Sequence, residues 1–429
     1  MRERSGFKIV FKRFLRGAVA RTKGWLLGSL FCLLAITPSQ CWADDHGDTP
    51  ETATLLTEGQ VSAGAFVAGN INPAGDLDYF AFVVASGHVG YLYIIETTIP
   101  PEDPFSDTFI TLVDKDRITP IVSDDNGGEG NASLILWSPE EAGTYYVEVS
   151  QLLLEDVGLY SLSVFRAGIA PPDDHGDRPD TATLLVVNDL PTEGSMELSA
   201  DVDYFRFVAQ PNYFYDIETS SLTTGSDTVI TLYDSDGQTE LGTDDQGGRE
   251  FNASRILWLA PPDVQAPSDV YWVRVVQFLE GKSGVGYSIA ASSEGEPSPL
   301  PMDGSPMSGY LENPGDVDTY VFSATKDHTT RVSLATTNDI NNFRLRLLDT
   351  DGVSLLVEQK NLEFEDLVYR HEKTGVFPLL VTEPFTGKAY TLSASREATF
   401  GNPDLNGDGK IDATDIMLML NAYHQAEEP

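Results

Sequence analysis

Short apolar runs, each bounded by Gly, Pro, Asp or Asn, set the rhythm of this chain. They fall at Tyr79 to Val84, Gly90 to Glu96, Phe109 to Val113, Ser133 to Trp137, Thr144 to Val149 and Tyr160 to Phe165. A second series follows at Tyr204 to Val208, Tyr213 to Glu218, Val229 to Tyr233, Ser254 to Leu259, Tyr271 to Val276 and Tyr287 to Ala290. Runs this short, rich in β-branched and aromatic residues, mark strands rather than helices. Their spacing predicts an all-β protein of tandem antiparallel β-sandwiches, jelly-roll-like, with a short loop and helix at the C-terminal end.

The two series are copies. Asp44-Asp45-His46-Gly47-Asp48 returns as Asp173-Asp174-His175-Gly176-Asp177, and Gly75-Asp76-Leu77-Asp78-Tyr79-Phe80 as Ala200-Asp201-Val202-Asp203-Tyr204-Phe205. Asp124-Asp125-Asn126-Gly127-Gly128 likewise matches Asp244-Asp245-Gln246-Gly247-Gly248, and Trp137 matches Trp258. A repeat of about 120 residues can enclose its own core, so it is a domain and not a solenoid unit. A worn third copy keeps Gly315-Asp316-Val317-Asp318-Thr319-Tyr320 but lacks the acidic opening and the tryptophan. The expected domains are 44–167, 173–293 and 300–397, with linkers at Gly168 to Pro172 and Ser293 to Pro306 and a separate segment at 402–425.

The first 43 residues read as an export signal. Basic residues from Arg2 to Lys23 precede an apolar stretch, Trp25 to Ile36, and Cys41-Trp42-Ala43 offers small residues for cleavage after Ala43. The stretch is shorter than the roughly 20 residues a membrane span needs. A secreted or cell-surface location is therefore expected. Both cysteines, Cys32 and Cys41, lie in this leader, which leaves the exported chain without disulfides and dependent on packing or bound ions. The formal charge is −39, and the leader holds eight of the 27 basic residues, so the remainder is more acidic still. Such a surface argues against nucleic acid or an anionic membrane as a direct partner and suits divalent cations.

Asp404-Leu405-Asn406-Gly407-Asp408-Gly409-Lys410-Ile411-Asp412-Ala413-Thr414-Asp415 carries the sharpest chemical pattern. Oxygen side chains from Asp404, Asn406, Asp408, Asp412 and Asp415, with the main-chain carbonyl of Lys410, would converge on one calcium ion, and Gly409 permits the sharp turn that this requires. Asp415 stands where an EF-hand loop usually has Glu.

This segment closely resembles one half of a type I dockerin. The resemblance implies docking to a cohesin-like or cell-surface protein, although dockerins usually carry two such halves. The larger modules resemble bacterial pre-peptidase C-terminal domains, on the strength of Asp-x-Asp-Tyr-Phe, Asp-Thr followed by Ile-Thr-Leu, the Asp-Asp-x-Gly-Gly turn and the closing Gly-Tyr-Ser element. In calcium-binding relatives, acidic residues of the N-terminal segment meet those that start the following strand. Carried over, the resemblance implies Asp45 and Asp48 with Asp76 and Asp78 in the first module, and Asp174 and Asp177 with Asp201 and Asp203 in the second. Four carboxylates in one place repel unless a cation sits among them. Solvated turns are the alternative.

Other residues have plainer readings. Asp124 to Gly128 and Asp234 to Gly237 suit hairpin closure. Trp137, Trp258 and Trp272 lie in apolar strands and suit cores rather than sugar platforms. His46 and His175 read as turn residues rather than zinc ligands. His371-Glu372 is followed by Lys373-Thr374-Gly375 and so forms no zinc-protease motif, and no Gly-x-Ser-x-Gly occurs. The expected function is therefore non-catalytic: calcium-dependent adhesion, substrate binding or assembly at a cell surface. Alternatives are an accessory subunit of extracellular polysaccharide or protein breakdown, recruited through the dockerin-like repeat, or a secreted hydrolase. An extracellular polymer, either polysaccharide or collagen-like, would be the second class of partner.

Overall fold

Alternate side chains of the strand Val270–Gln277 are buried: Tyr271, Val273, Val275 and Gln277. That period of two is the pleat of a strand with one face on a core. The computed structural model describes residues 45–264, 269–278, 283–313, 315–336, 343–360, 365–382, 388–397 and 417. The leader and the segment Asp404 to Asp415 lie outside them. Strands account for 51% of the chain and helix for 4%, which makes the protein all-β.

The same pair of sheets is built three times. In the first, the five-stranded sheet runs in the order Thr54–Leu55, Asp78–Val84, Gly143–Gln151, Thr108–Val113, Pro120–Asp124. Its four-stranded partner runs Val67–Ile71, Gly158–Ile169, Tyr91–Thr98, Leu134–Trp137. The second and third pairs repeat this order, and in each the opening two-residue strand is parallel to its neighbour while the other pairings are antiparallel. Inward side chains of the two sheets meet in a separate core for each pair.

Aromatic packing fixes the correspondence. Phe82 meets Trp137 edge-on at 6.3 Å and Phe207 meets Trp258 at 6.2 Å, while each tryptophan also lies 4.6 Å from a tyrosine, Tyr145 or Tyr271. Such tilted contacts suit the ring quadrupole. The third core has Phe322 and Phe377 at the corresponding strand positions, and the buried ring of His371 packs on both, 4.2 Å from Phe377. An imidazole thus fills the place of the lost indole. Trp272 is half-buried and donates its indole N–H to the Pro179 carbonyl at 3.0 Å.

The strand runs foreseen from aromatic and β-branched residues are present with ends shifted by a few residues. Val67–Ile71, Thr192–Met196, Pro120–Asp124 and Glu240–Asp244 are additional strands. The first sandwich also carries a short helix, Glu58–Ala63, opened by a reciprocal cap in which Gln60 N–H donates to Thr57 Oγ1 and Thr57 N–H donates to Gln60 Oε1.

Consecutive sandwiches meet at the exposed edge of a four-stranded sheet. Leu136, on the edge strand Leu134–Trp137, donates its N–H to Ser199 Oγ at 2.8 Å and accepts from Ser199 N–H at 2.9 Å. On the equivalent strand of the second sandwich, Arg255–Leu259, the N–H of Leu259 donates to the Gly352 carbonyl at 3.0 Å. Here an apolar patch of Phe214, Leu257, Val317, Leu348 and Leu380 adds to the junction. Covering a sheet edge in this way removes a site for unwanted strand pairing.

Candidate metal centres

Each Asp-x-Asp element turns into a strand, and its two aspartates do different work. The first caps the turn that precedes it: Asp76 Oδ2 accepts from Asn72 N–H at 3.0 Å, Asp201 Oδ2 from Glu197 N–H at 2.6 Å, and Asp316 Oδ2 from Glu312 N–H at 2.7 Å. The second faces inward beneath a tyrosine. Tyr160 donates its hydroxyl to Asp78 Oδ2 at 2.6 Å, Tyr287 to Asp203 at 2.5 Å and Tyr390 to Asp318 at 2.5 Å. Asp78 and Asp203 are fully buried.

A glycine makes room for each tyrosine. Side chains at Gly69, Gly194 or Gly309 would collide with the rings of Tyr160, Tyr287 or Tyr390, which lie across the neighbouring strand. These Asp-Tyr-Gly sets recur in all three sandwiches and had no part in the sequence reading, although Gly-Tyr-Ser stood out as a closing element.

The N-terminal segment is held over the site by its histidine. His46 and His175 are buried, lie 4.4 and 4.5 Å from Phe80 and Phe205, and bond Thr54 and Thr183 through Nδ1. Their Nε2 atoms meet the carbonyls of Ala68 at 2.9 Å and Glu193 at 2.8 Å. A carbonyl can only accept, so the proton sits on Nε2 and both nitrogens are satisfied. These residues clamp the segment from inside rather than shape an exposed turn.

With the segment held there, carboxylates converge. Asp45, Asp76 and Asp78 form a group in the first sandwich, and in the second Asp173, Asp201 and Asp203 form one group while Asp173, Asp174 and Glu197 form another. Within each group the oxygens lie within 4.8 Å of one another. Ligands on opposite sides of a calcium ion sit about 4.6–5.2 Å apart, twice the usual Ca–O distance. Asp48 and Asp177 belong to none of these groups, and Asp177 Oδ1 accepts from Val202 N–H at 3.2 Å. In the second sandwich Asp174 and Asp177 had been carried over from the N-terminal segment, and the groups take Asp173 and Glu197 in addition to Asp174.

The second sandwich holds charge under strain. Burial raises Asp203 to about 9, with Asp201, Asp174 and Glu197 adding like charge against the stabilising Tyr287 bond. Burial also raises Asp201, Asp173, Asp174 and Asp177. Asp203 Oδ1 and Glu197 Oε2 are buried without a hydrogen-bond partner. Carboxylate oxygens left so are costly unless something positive completes them. The donor set is all oxygen, which suits a hard cation and not zinc or copper.

In the third sandwich no such group forms among the described residues. Arginines of the second sandwich come to its Asp-x-Asp turn instead: Arg249 and Arg255 both donate to the Gly315 carbonyl, at 3.0 and 3.1 Å. The Asp-Asp-x-Gly-Gly segments act as turns. Asp124 Oδ2 accepts from Gly127 and Leu134 N–H, each at 2.7 Å, and Asp244 Oδ2 from Gly247 and Arg255.

No family model matches the chain, and no curated protein does. Among solved structures, similarity is found to the periplasmic g-type lysozyme inhibitor PliG of Aeromonas hydrophila, at 10% identity over 23% of this chain and 95% of that one, with a TM-score of 0.20. A Sulfolobus Turreted Icosahedral Virus structure aligns over 76% of this chain and 84% of its own at 11% identity and TM-score 0.18. Tripeptidyl peptidase 2 aligns over 75% and 34% at 7% identity and TM-score 0.17. Likenesses this slight say nothing about function.

Proposed function

We propose that the protein is an exported, non-catalytic, calcium-binding modular protein that acts in adhesion, substrate binding or assembly at a cell surface. The observation that carries the cation is Asp203, buried among like charges with one carboxylate oxygen bonded to Tyr287 and the other without a protein partner. The ligands would be Asp173, Asp174, Glu197, Asp201 and Asp203 in the second sandwich and Asp45, Asp76 and Asp78 in the first, with water completing the shell. Asp404, Asn406, Asp408, Lys410, Asp412 and Asp415 would form a third centre. A bound ion would let the carboxylates ionise and hold the N-terminal segment of each module against its sheet.

Calorimetric titration of calcium into the full chain tests this. Loss of one binding event in Asp203→Asn, of a different one in Asp78→Asn and of a third in Asp404→Ala is the expected pattern. An unchanged isotherm for Asp203→Asn would remove the second-sandwich centre. Turnover of casein or glycan panels by the purified protein would contradict the non-catalytic assignment.

A further inference from the structure

The two junctions between sandwiches are built on equivalent edge strands but closed by opposite chemistry. At the second, Arg249 and Arg255 supply fixed positive charge. Arg255 Nη2 lies 2.6 Å from Asp216 Oδ2, Arg249 pairs with Glu218, and both guanidinium groups reach across to the Gly315 carbonyl of the third sandwich. The apolar patch around Leu257 and Leu380 lies beside them. This junction is complete as it stands.

At the first junction the equivalent positions carry Glu129 and Leu134, so there is no arginine to do the same. A cleft of about 380 Å³ separates the sandwiches, with Glu140 and Glu141 on one wall and Asp173, Asp177, Glu197 and Asp201 on the other. Among the described residues Lys115 is the one basic residue lining it, and Glu141 engages its ammonium group. Glu140 faces Asp177 closely enough to add to the repulsion there. A contact across this joint, the pair of hydrogen bonds between Ser199 and Leu136, springs from the loop between Glu197 and Asp201, both members of the carboxylate groups. Whatever orders that loop orders the joint.

We infer that a divalent cation held by the Glu197 to Asp203 loop locks the joint between the first and second sandwiches, while the second joint is locked permanently by Arg249 and Arg255. The inference rests on the cation reading above and extends it from the site to the joint. The cation does at the first junction what the arginines do at the second: it neutralises an acidic turn that must sit against the neighbouring sheet edge. Of the two joints between sandwiches, only the first then responds to calcium.

Hydrogen exchange read by mass spectrometry on the full chain, in calcium and in chelator, tests it, with calorimetry run on the same samples. The informative peptide covers Leu134 to Trp137, because that strand contributes no ligand and gains protection only if the joint closes. Several-fold slower exchange there in calcium, with no change at Arg255 to Leu259, is expected, and Glu197→Gln should abolish the difference. Arg249→Ala should speed exchange at Arg255 to Leu259 in both buffers. Binding by calorimetry without a change at Leu134 to Trp137 would overturn the joint and leave the cation reading standing. An equal gain of protection in calcium at both edge strands would overturn the asymmetry. An absence of binding would remove the cation reading and the joint together.

Discussion

At the scale of single residues, this fold depends on close approaches that polar patterning does not announce. Gly194 lies under the ring of Tyr287, whose hydroxyl holds Asp203, so a methyl group there must push the ring away from the carboxylate. Gly194→Ala should destabilise the second sandwich by about 1–3 kcal/mol, the usual cost of overfilling a packed interior, as read by its urea transition. His371 gives a second residue-scale prediction. Burial lowers its pKa, its Nε2 bonds Thr330 at 2.9 Å, and its ring fills the third core. Because its folded-state pKa lies below that of the unfolded chain, the neutral ring contributes its full stability above about pH 6.5, and this is lost as pH falls through the lower folded-state value. Thermal unfolding between pH 4 and 8 should show a low-pH decline specific to the third sandwich, and His371→Phe should flatten it. Equal pH slopes in both proteins would contradict this role.

At the scale of elements, what could be read in advance was decided by how much of each strand's identity is local. Tyr204 to Val208 and Tyr271 to Val276 carry β-branched and aromatic residues in sequence and were legible. Thr192–Met196, with the sequence Thr-Glu-Gly-Ser-Met, has no such signal and exists because it pairs with Val285–Gly295 and because its glycine admits Tyr287. The capping box at Thr57 to Gln60 was visible in principle and marks the short helix Glu58–Ala63. The candidate site was legible in outline: Asp45, Asp76 and Asp78 converge, as do Asp174, Asp201 and Asp203 through Asp173. Asp173 stood in the repeated opening motif, whereas Glu197 answers to Asn72 in the first sandwich and Glu312 in the third, and its place among the carboxylates needed the folded loop to appear. Between elements, the strands Phe214–Ser220 and Arg255–Leu259 share the Asp216, Glu218, Arg249 and Arg255 network. Removing Arg255, whose side chain is 9% exposed, leaves two carboxylates without their buried partner, so Arg255→Met should cost about 3–5 kcal/mol in denaturant titration.

At the scale of the whole molecule, three sandwiches of one design differ in how they treat an acidic turn: two gather carboxylates, and the third turns to arginine. Terbium luminescence is the most direct measurement of whether those carboxylates gather a hard cation, since a lanthanide seated on Asp203 lies beside Tyr287, whose excitation sensitises it. The full chain should show emission under ultraviolet excitation that calcium displaces, falling stepwise in Asp203→Asn and in the Asp78→Asn, Asp203→Asn double variant. Emission that is absent, or equal in all three proteins, would contradict the account.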